Sequence, residues 1–282
     1  MSRLPASLDA PPSGRARPIW FDAAAYGRAK LLAGGDVPWS SPAELSSFFA
    51  KIGGMFRSDA ILVDLADLFA QRAVADQQLR AAMAARSRPG YALRTLLGDE
   101  QARSTAAEAV RVLAATSGPV PLVLTVPAPG RWMATAALQG GSDPGPPDAG
   151  QAETAAIYSA DFLRVFAGAG VDGLLLDEGQ IPASQLIHPE AYRPVLNVAD
   201  HYEWPVVIQT DAAAAWPHGP VPGLALWLGP AGPAQPSGRW GIVAGSDFRD
   251  GADPPAEADL VLAAVPAQAD PEAVMKRVRA LA

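Results

Sequence analysis

The sequence contains no cysteine among its 282 residues. This absence excludes disulfide bonds, thiolate metal sites and cysteine nucleophiles. Positive charge is also scarce: 22 Lys and Arg residues stand against 29 Asp and Glu residues, for a net charge of −7. Nucleic-acid binding requires a clustered basic surface, so we expect no nucleic-acid partner for a chain this acidic.

Long apolar segments are missing as well. No run approaches the roughly 18–20 apolar residues that a transmembrane helix needs, so we expect no membrane partner. The N-terminal segment lacks the apolar stretch of about 7–15 residues found in secretory signals, which makes the cytoplasm the default location. Its Pro, Ser and Gly residues predict a flexible arm over residues 1–16. The remainder, residues 17–282, is predicted to form a single domain.

Glycine and proline, by contrast, are abundant, with 26 and 28 residues, and many of them separate short apolar runs. Eight runs are typical of strands, and all but the first are continuous enough to be buried on both faces, as parallel strands are. They are PIWFD (18–22), AILVDLAD (60–67), VPLVLTVPAP (120–129), DGLLLDE (172–178), PVVIQTD (205–211), GLALWLG (223–229), WGIVAGSD (240–247) and ADLVLAAVP (258–266).

Helical patterns lie between most of these runs. A capping box from Ser41 to Glu44 predicts one helix start, and the other predicted helices span 69–86, 99–115, 152–166, 189–202 and the segment after Asp270. Eight strands alternating with helices over about 250 residues predict an α/β fold, a single (β/α)8 TIM-type barrel. An open doubly wound sheet is the alternative, although no GxGxxG motif follows the first strand.

In such barrels the working residues lie at the carboxyl ends of the strands and in the loops that follow them. Acidic residues end at least four of the predicted strands. The candidate catalytic residues are Asp64 and Glu178, and the candidate substrate-binding residues are Asp22, Tyr26, Arg28, Gln209, Asp211, His218 and Asp247. These groups suit acid–base chemistry or the binding of a cationic or hydroxyl-bearing substrate. A strand-end Asp is also typical of a turn or a helix N-cap, so both interpretations stay open.

Only three histidines occur, and no two have a metal-ligand spacing. His188 precedes Pro189 and is predicted to begin a helix, while His201 is predicted in the last turn of the same helix, where a cation suits the helix dipole. His218 alone is expected among the loops that follow the strands. We therefore predict no metal site and no cofactor.

Several segments together resemble the uroporphyrinogen decarboxylase superfamily, a family of (β/α)8 barrels related to cobalamin-independent methionine synthase. The segments are RPIWFDAAAYGRAKLLAGG (17–35), SDAILVDLADL (58–68), PLVLTVPAPGRWMATAALQGG (121–141), GVDGLLLDEG (170–179), WPVVIQTD (204–211), WGIVAGSDFRDGADPP (240–255) and ADLVLAAVPAQADPEAVMKRVRAL (258–281). The resemblance implies that Asp64 matches the family's second-strand aspartate. It also implies that Arg28 matches, one residue displaced, the second arginine of the N-terminal signature, and that Glu178 stands at a substrate-contacting position.

The departures from this family are informative. The first signature arginine is missing near Ala23 and Ala24, the family tyrosine falls on Ala136, and AAVPAQ (263–268) lacks the C-terminal histidine. Without these groups we do not expect a porphyrinogen substrate or a role in heme synthesis. The zinc-dependent methyltransferase branch needs thiolate ligands, which a chain without cysteine does not supply.

Three functional hypotheses follow. The first is a metal-independent carboxy-lyase-type enzyme acting on a small molecule, with Asp64 or Glu178 as acid or base and Arg28 as the anion anchor. The second is a catalytically degenerate barrel that binds a ligand or a partner protein. The third is a cobalamin- or folate-linked methyltransferase that uses only oxygen and nitrogen ligands. The sequence leaves the substrate, the pathway and the formation of a homodimer open.

Overall fold

The computed structural model describes residues 2–179, 188–211, 221–230, 238–244 and 254–281. Within these ranges, eight parallel strands form one nearly closed sheet that alternates with helices, which confirms the predicted (β/α)8 barrel. The strands are β1 (Ile19–Asp22), β2 (Ile61–Asp64), β3 (Leu122–Pro127), β4 (Gly173–Asp177), β5 (Val206–Gln209), β6 (Leu224–Gly229), β7 (Trp240–Ala244) and β8 (Leu260–Ala264). The helices are α1 (Leu4–Asp9), α2 (Ala24–Leu31), α3 (Pro42–Phe56), α4 (Leu65–Ala75), α5 (Gln77–Ala84), α6 (Tyr91–Leu97), α7 (Glu100–Thr116), α8 (Pro129–Gln139), α9 (Ala149–Leu163), α10 (Arg193–His201) and α11 (Pro271–Ala280).

Strand pairing runs from β1 to β8 and then in descending order to β2. Ladder pairing is absent between β1 and β2, both of which lie wholly within the described ranges, and we call this junction the seam. Side chains bridge it instead: the Ile19 N–H donates to Asp59 Oδ2 at 2.9 Å, and the Phe21 N–H donates to Ser58 Oγ at 3.0 Å. At their amino-terminal side the first and second strands are therefore joined by these local contacts and by the Asp59 N–H to Ile19 carbonyl bond.

Two clusters of buried side chains follow from the alternation of residues along each strand. The outer cluster joins the strands to the helices and includes Phe69, Trp132 and Phe162, whose rings pack edge to face. The inner cluster fills the barrel with one face of the strands, including Trp20 and Leu175. Because side chains two apart share a face, the inner cluster identifies which strand-end residues point into the barrel.

The N-terminal segment differs from the predicted flexible arm. Residues 4–9 form α1, and its Leu4 and Leu8 are buried in the inner cluster at the amino end of the strands. Leu4 lies directly over Gly173, where a β-carbon would clash with it. Arg3 donates from Nε and Nη2 to the buried carboxylate of Asp172, at 3.0 and 2.6 Å. The segment is thus a plug that closes the amino end of the barrel.

The helices predicted from sequence patterns begin and end near their expected positions, with two corrections, and α2, α6 and α8 form where those patterns predicted no helix. Ser41 makes no side-chain cap at the start of α3, so the predicted capping box does not form. The predicted helix over 69–86 is split into α4 and α5 at Asp76, whose carboxylate accepts the N–H groups of Gln78 and Leu79. Among the residues that the structure describes, no helix has both the length and the hydropathy to cross a membrane.

Candidate active site

The carboxyl ends of the strands bring several carboxyl groups to one opening of the barrel, which we call the mouth. Asp22, Asp64 and Asp177 each lie two residues after a member of the inner cluster, or after a residue packed against it, so they project to the interior. Their mutual electrostatic effects confirm that they are close, because Asp22 raises the pKa of Asp64 and Asp177 raises that of Asp22. Three of the predicted strand-end carboxylates therefore meet at the mouth.

Asp64 and Asp22 occupy a concave and electrostatically crowded position. Removal from bulk water, together with the charges of Asp22 and Asp67, raises the pKa of Asp64 from 3.8 to about 7. Surrounding protein and the charge of Asp177 likewise raise the pKa of Asp22, even though its surface is accessible to solvent. A carboxyl group that solvent reaches but that protein largely surrounds is typical of an active-site or ligand-binding residue.

Asp64 also caps a helix. Its Oδ1 accepts the Ala66 N–H at 2.9 Å and so satisfies the first turn of α4. The structural interpretation of this strand-end Asp is therefore confirmed. The two interpretations are compatible, because the cap holds the carboxyl group in place while its environment keeps the pKa near neutrality.

Arg131 supplies a cation at the mouth that the sequence analysis did not select. It lies in the first turn of α8, and its Nη1 forms an ion pair with Asp177 Oδ2. Gly179 makes room for it, since a β-carbon there would lie 2.7 Å from Arg131 Cζ and the residue has a φ of +67°. Arg131 follows the third predicted strand directly, so the rule that selected the strand-end aspartates was sufficient to find it.

Glu178 points away from the mouth, as expected for the second of two consecutive strand-end carboxylates. Its side chain is only 3% exposed, and its Oε1 accepts the hydroxyl hydrogen of Tyr192 at 2.5 Å. Burial raises the pKa of Glu178 to about 7, against the opposing effect of the Tyr192 hydrogen bond. Tyr192 belongs to the outer cluster, and no sequence spacing indicated this partner.

Arg28 lies at the rim of the barrel, where carboxylates already hold it. Its Nη2 donates to Asp36 at 2.8 Å and its Nη1 donates to Asp67 at 3.1 Å. Asp67 additionally accepts from Trp39 Nε1 at 2.9 Å and from Gln71 Nε2 at 2.7 Å. The arginine that the sequence predicts as an anion anchor is therefore engaged in a network that ties α2 to α4.

The other predicted substrate-binding residues fall into three groups. Tyr26 is buried in the outer cluster with its ring edge-on to Phe56, 5.8 Å between centroids, away from the mouth. Gln209 ends β5 beside Asp177 of β4, and Asp211 follows two residues later. Burial, together with the Asp177 charge, raises the pKa of Asp211. The last two predicted residues, His218 and Asp247, lie outside the described residues.

The remaining histidines have the structural positions predicted for them. His188 caps the short 3-10 helix Pro189–Tyr192, because its Nδ1 accepts the Glu190 N–H at 3.3 Å. His201 is the last residue of α10 and packs its ring against Tyr202. Within the described part of the chain, no group of three His, Asp or Glu side chains is placed to hold a metal ion.

No protein-family model matches the chain, and no curated protein matches it. The resemblance to the uroporphyrinogen decarboxylase superfamily therefore remains a prediction from the quoted segments.

Proposed function

We propose that this chain is a divergent barrel enzyme that performs metal-independent acid–base chemistry on a small molecule at the mouth, of the carboxy-lyase type. The observation that supports this proposal is the Asp22–Asp64 pair at the ends of adjacent strands. Two carboxyl groups that repel each other ionise one after the other, so Asp64 holds a proton at pH values where an ordinary aspartate has lost it. Such a group can donate or accept a proton at neutral pH.

The proposed reaction assigns a role to each group. When a substrate carboxylate leaves as carbon dioxide, the electron pair of the broken C–C bond stays on the substrate carbon. Protonated Asp64 delivers a proton to that carbon and becomes a carboxylate, which solvent then reprotonates. Glu178 is buried beneath Tyr192, so of the two predicted catalytic residues Asp64 is the one that a substrate at the mouth reaches.

Arg131 replaces Arg28 as the proposed anion anchor. Its ion pair with Asp177 uses Nη1, and in the described residues its Nε and Nη2 make no hydrogen bond. A guanidinium group presents donors in a fixed fork that matches a carboxylate. The carboxylates at the mouth outnumber this cation, which favours a substrate with one carboxylate over a polycarboxylate and agrees with the expectation that heme synthesis is not the role.

A thermal-shift screen of monocarboxylated metabolites, followed by measurement of released carbon dioxide, tests the proposal. A ligand at 100 times its Kd stabilises the fold by about 2.7 kcal/mol. For a substrate found in this way, we expect Asp64→Asn to lower kcat about 10²-fold or more, because proton transfer is lost. Asp99→Asn is the matched control, since Asp99 caps α7 as Asp64 caps α4 but lies outside the mouth.

A ligand-binding barrel without catalysis is the second candidate. Arg28 favours this candidate, because it forms ion pairs with both Asp36 and Asp67. The arginine that the family resemblance implies as an anion anchor is therefore not available at the mouth. Metabolite binding that Arg131→Gln weakens, without carbon dioxide release or any other turnover, would support this candidate and refute the lyase. Equal turnover in wild type and Asp64→Asn would remove Asp64 from the mechanism.

A further inference from the structure

A groove on the outside of the barrel lies between α3 and α7, and it extends along the seam as far as Asp22 at the carboxyl end of β1. Ile61 of β2 forms its floor and is partly exposed there, and at the seam the groove also reaches the partly exposed Leu62, which packs against the inner cluster. Parallel strands are ordinarily covered on both faces, so an uncovered apolar strand is unusual. The exposure follows from the seam, because β2 has no ladder partner on this side.

Small residues on α3 keep the groove open. Ser46, Ala50 and Gly53 recur at helical spacing on the wall that faces it, so they share one face of the helix. A β-carbon on Gly53 would meet no heavy atom within 4 Å, which shows that the space beside it is empty. Apolar side chains make up much of the remaining lining, including Phe49 and Leu113.

The volume of the groove is about 350 Å³, at the lower end of the range for small-molecule pockets. At roughly 30 Å³ for each water-sized group, it holds about a dozen heavy atoms. These dimensions suit a small molecule.

The two ends of the groove differ in charge. Arg57 lies at the amino-terminal end of β2, and Asp22 lies at the carboxyl end of the parallel strand β1. Arg57 is exposed, and among the described residues its guanidinium makes one long hydrogen bond, from Nη2 to the Ser13 carbonyl at 3.5 Å. An anionic group is attracted to the Arg57 end and repelled from the other.

We propose that this groove binds a hydrocarbon chain of about ten carbon atoms that carries a single carboxylate, with the chain along β2 and the carboxylate beside Arg57. The groove shares Asp22 with the mouth, but the proposed carboxylate position beside Arg57 lies at the opposite end of the groove from the lyase chemistry. Apolar burial supplies the affinity, and the guanidinium group supplies the preference for an anionic head.

Calorimetric titration with decanoate, kept below its micelle concentration, tests this proposal on the full chain. We expect one bound molecule per chain and a negative heat-capacity change. Gly53→Leu fills the groove and should weaken binding about tenfold or more. Gly54→Leu is the matched control, because Gly54 is also an exposed glycine of α3 with open space beside it but does not line the groove. Leucine favours a helix over glycine, so both variants should fold.

The head group is tested by substituting the probe and the arginine. Decanoate should bind more tightly than decanol or decylamine, and Arg57→Gln should remove the difference between decanoate and decanol. Absence of binding, equal binding by Gly53→Leu and Gly54→Leu, or a preference for decylamine would overturn the proposal. A dimer in light scattering that Gly53→Leu dissociates would also overturn it, because the groove would then be a self-association surface.

Discussion

Ionisation of Asp64 lowers the free energy of unfolding, and this effect can be measured without knowing any substrate. Because the pKa of this group rises from 3.8 to about 7 on folding, the folded protein keeps a proton that the unfolded chain releases between these pH values. The unfolded state binds fewer protons in this window, so the free energy of unfolding falls as the pH rises through it. Below the window Asp64 is protonated in both states and costs nothing.

Asp64→Asn removes this cost while keeping the helix cap, since Asn caps a helix as well as Asp does. The full difference between 3.8 and about 7 corresponds to about 4 kcal/mol at 1.36 kcal/mol per pKa unit. Asp64 is partly exposed, so solvent screening reduces the effect and we expect the variant to be about 2–4 kcal/mol more stable at about pH 8. At about pH 4 the two proteins should unfold at nearly the same urea concentration.

Urea unfolding of wild type and variant at both pH values measures this difference directly. Asp99→Asn provides the control: it also preserves an N-cap, but it removes the ion pair with Arg72, 3.0 Å away, and should not stabilise the protein at either pH. Equal stability of wild type and Asp64→Asn at about pH 8 would refute the assigned crowding of carboxyl groups. A gain of the same size at both pH values would show that charge is not the cause.

Three further variants test other parts of the structure by urea unfolding. Leu4→Ala should lower the free energy of unfolding by about 2–5 kcal/mol, because Leu4 in the plug is fully buried. An unchanged free energy of unfolding would show that α1 is not docked on the barrel. Tyr192→Phe should lower the free energy of unfolding by about 1–3 kcal/mol at about pH 8 and by less at about pH 5. The reason is that the lost hydrogen bond favours the ionised form of Glu178. Gly179→Ala should cost more than Gly168→Ala, because both glycines have a similar positive φ but only the first would crowd Arg131. If both variants lose the same free energy of unfolding, Arg131 moves away from the added methyl group without a measurable penalty.

The sequence predicts the barrel well because its strands are nearly continuous apolar runs with glycine or proline close by. Each of the eight predicted strands is found within its predicted range. Helix α1 was missed because LPASLD is short and shows no long periodic pattern, so its stability comes from tertiary contacts. The most specific of these contacts joins Leu4 to Gly173, and no local rule predicts a contact across that length of chain.

In the candidate site too, local sequence predicts some side-chain positions, and others depend on residues that only folding brings together. Asp22, Asp64 and Asp177 were found because their places at strand ends decide where they point. The engagement of Arg28 depends on Asp36 and Asp67, which acquire their positions only when α2 and α4 are packed together. Tyr192 and Glu178 are 14 residues apart and meet across a segment whose course the sequence does not indicate.

The seam also affects the order in which the chain can fold during synthesis. The only ladder partner of β1 in the described sheet is β8, which follows about 240 residues later. At roughly 5–20 residues per second, the ribosome delivers that partner some 12–48 seconds after the first strand. Asp59 and Ser58 satisfy the seam-facing N–H groups of β1, whereas its opposite edge, where the Pro18 and Asp22 carbonyls accept from β8, waits for that strand. An unpaired strand edge is an aggregation hazard, so the edge of β1 that faces β8 stays exposed to other chains until β8 is made.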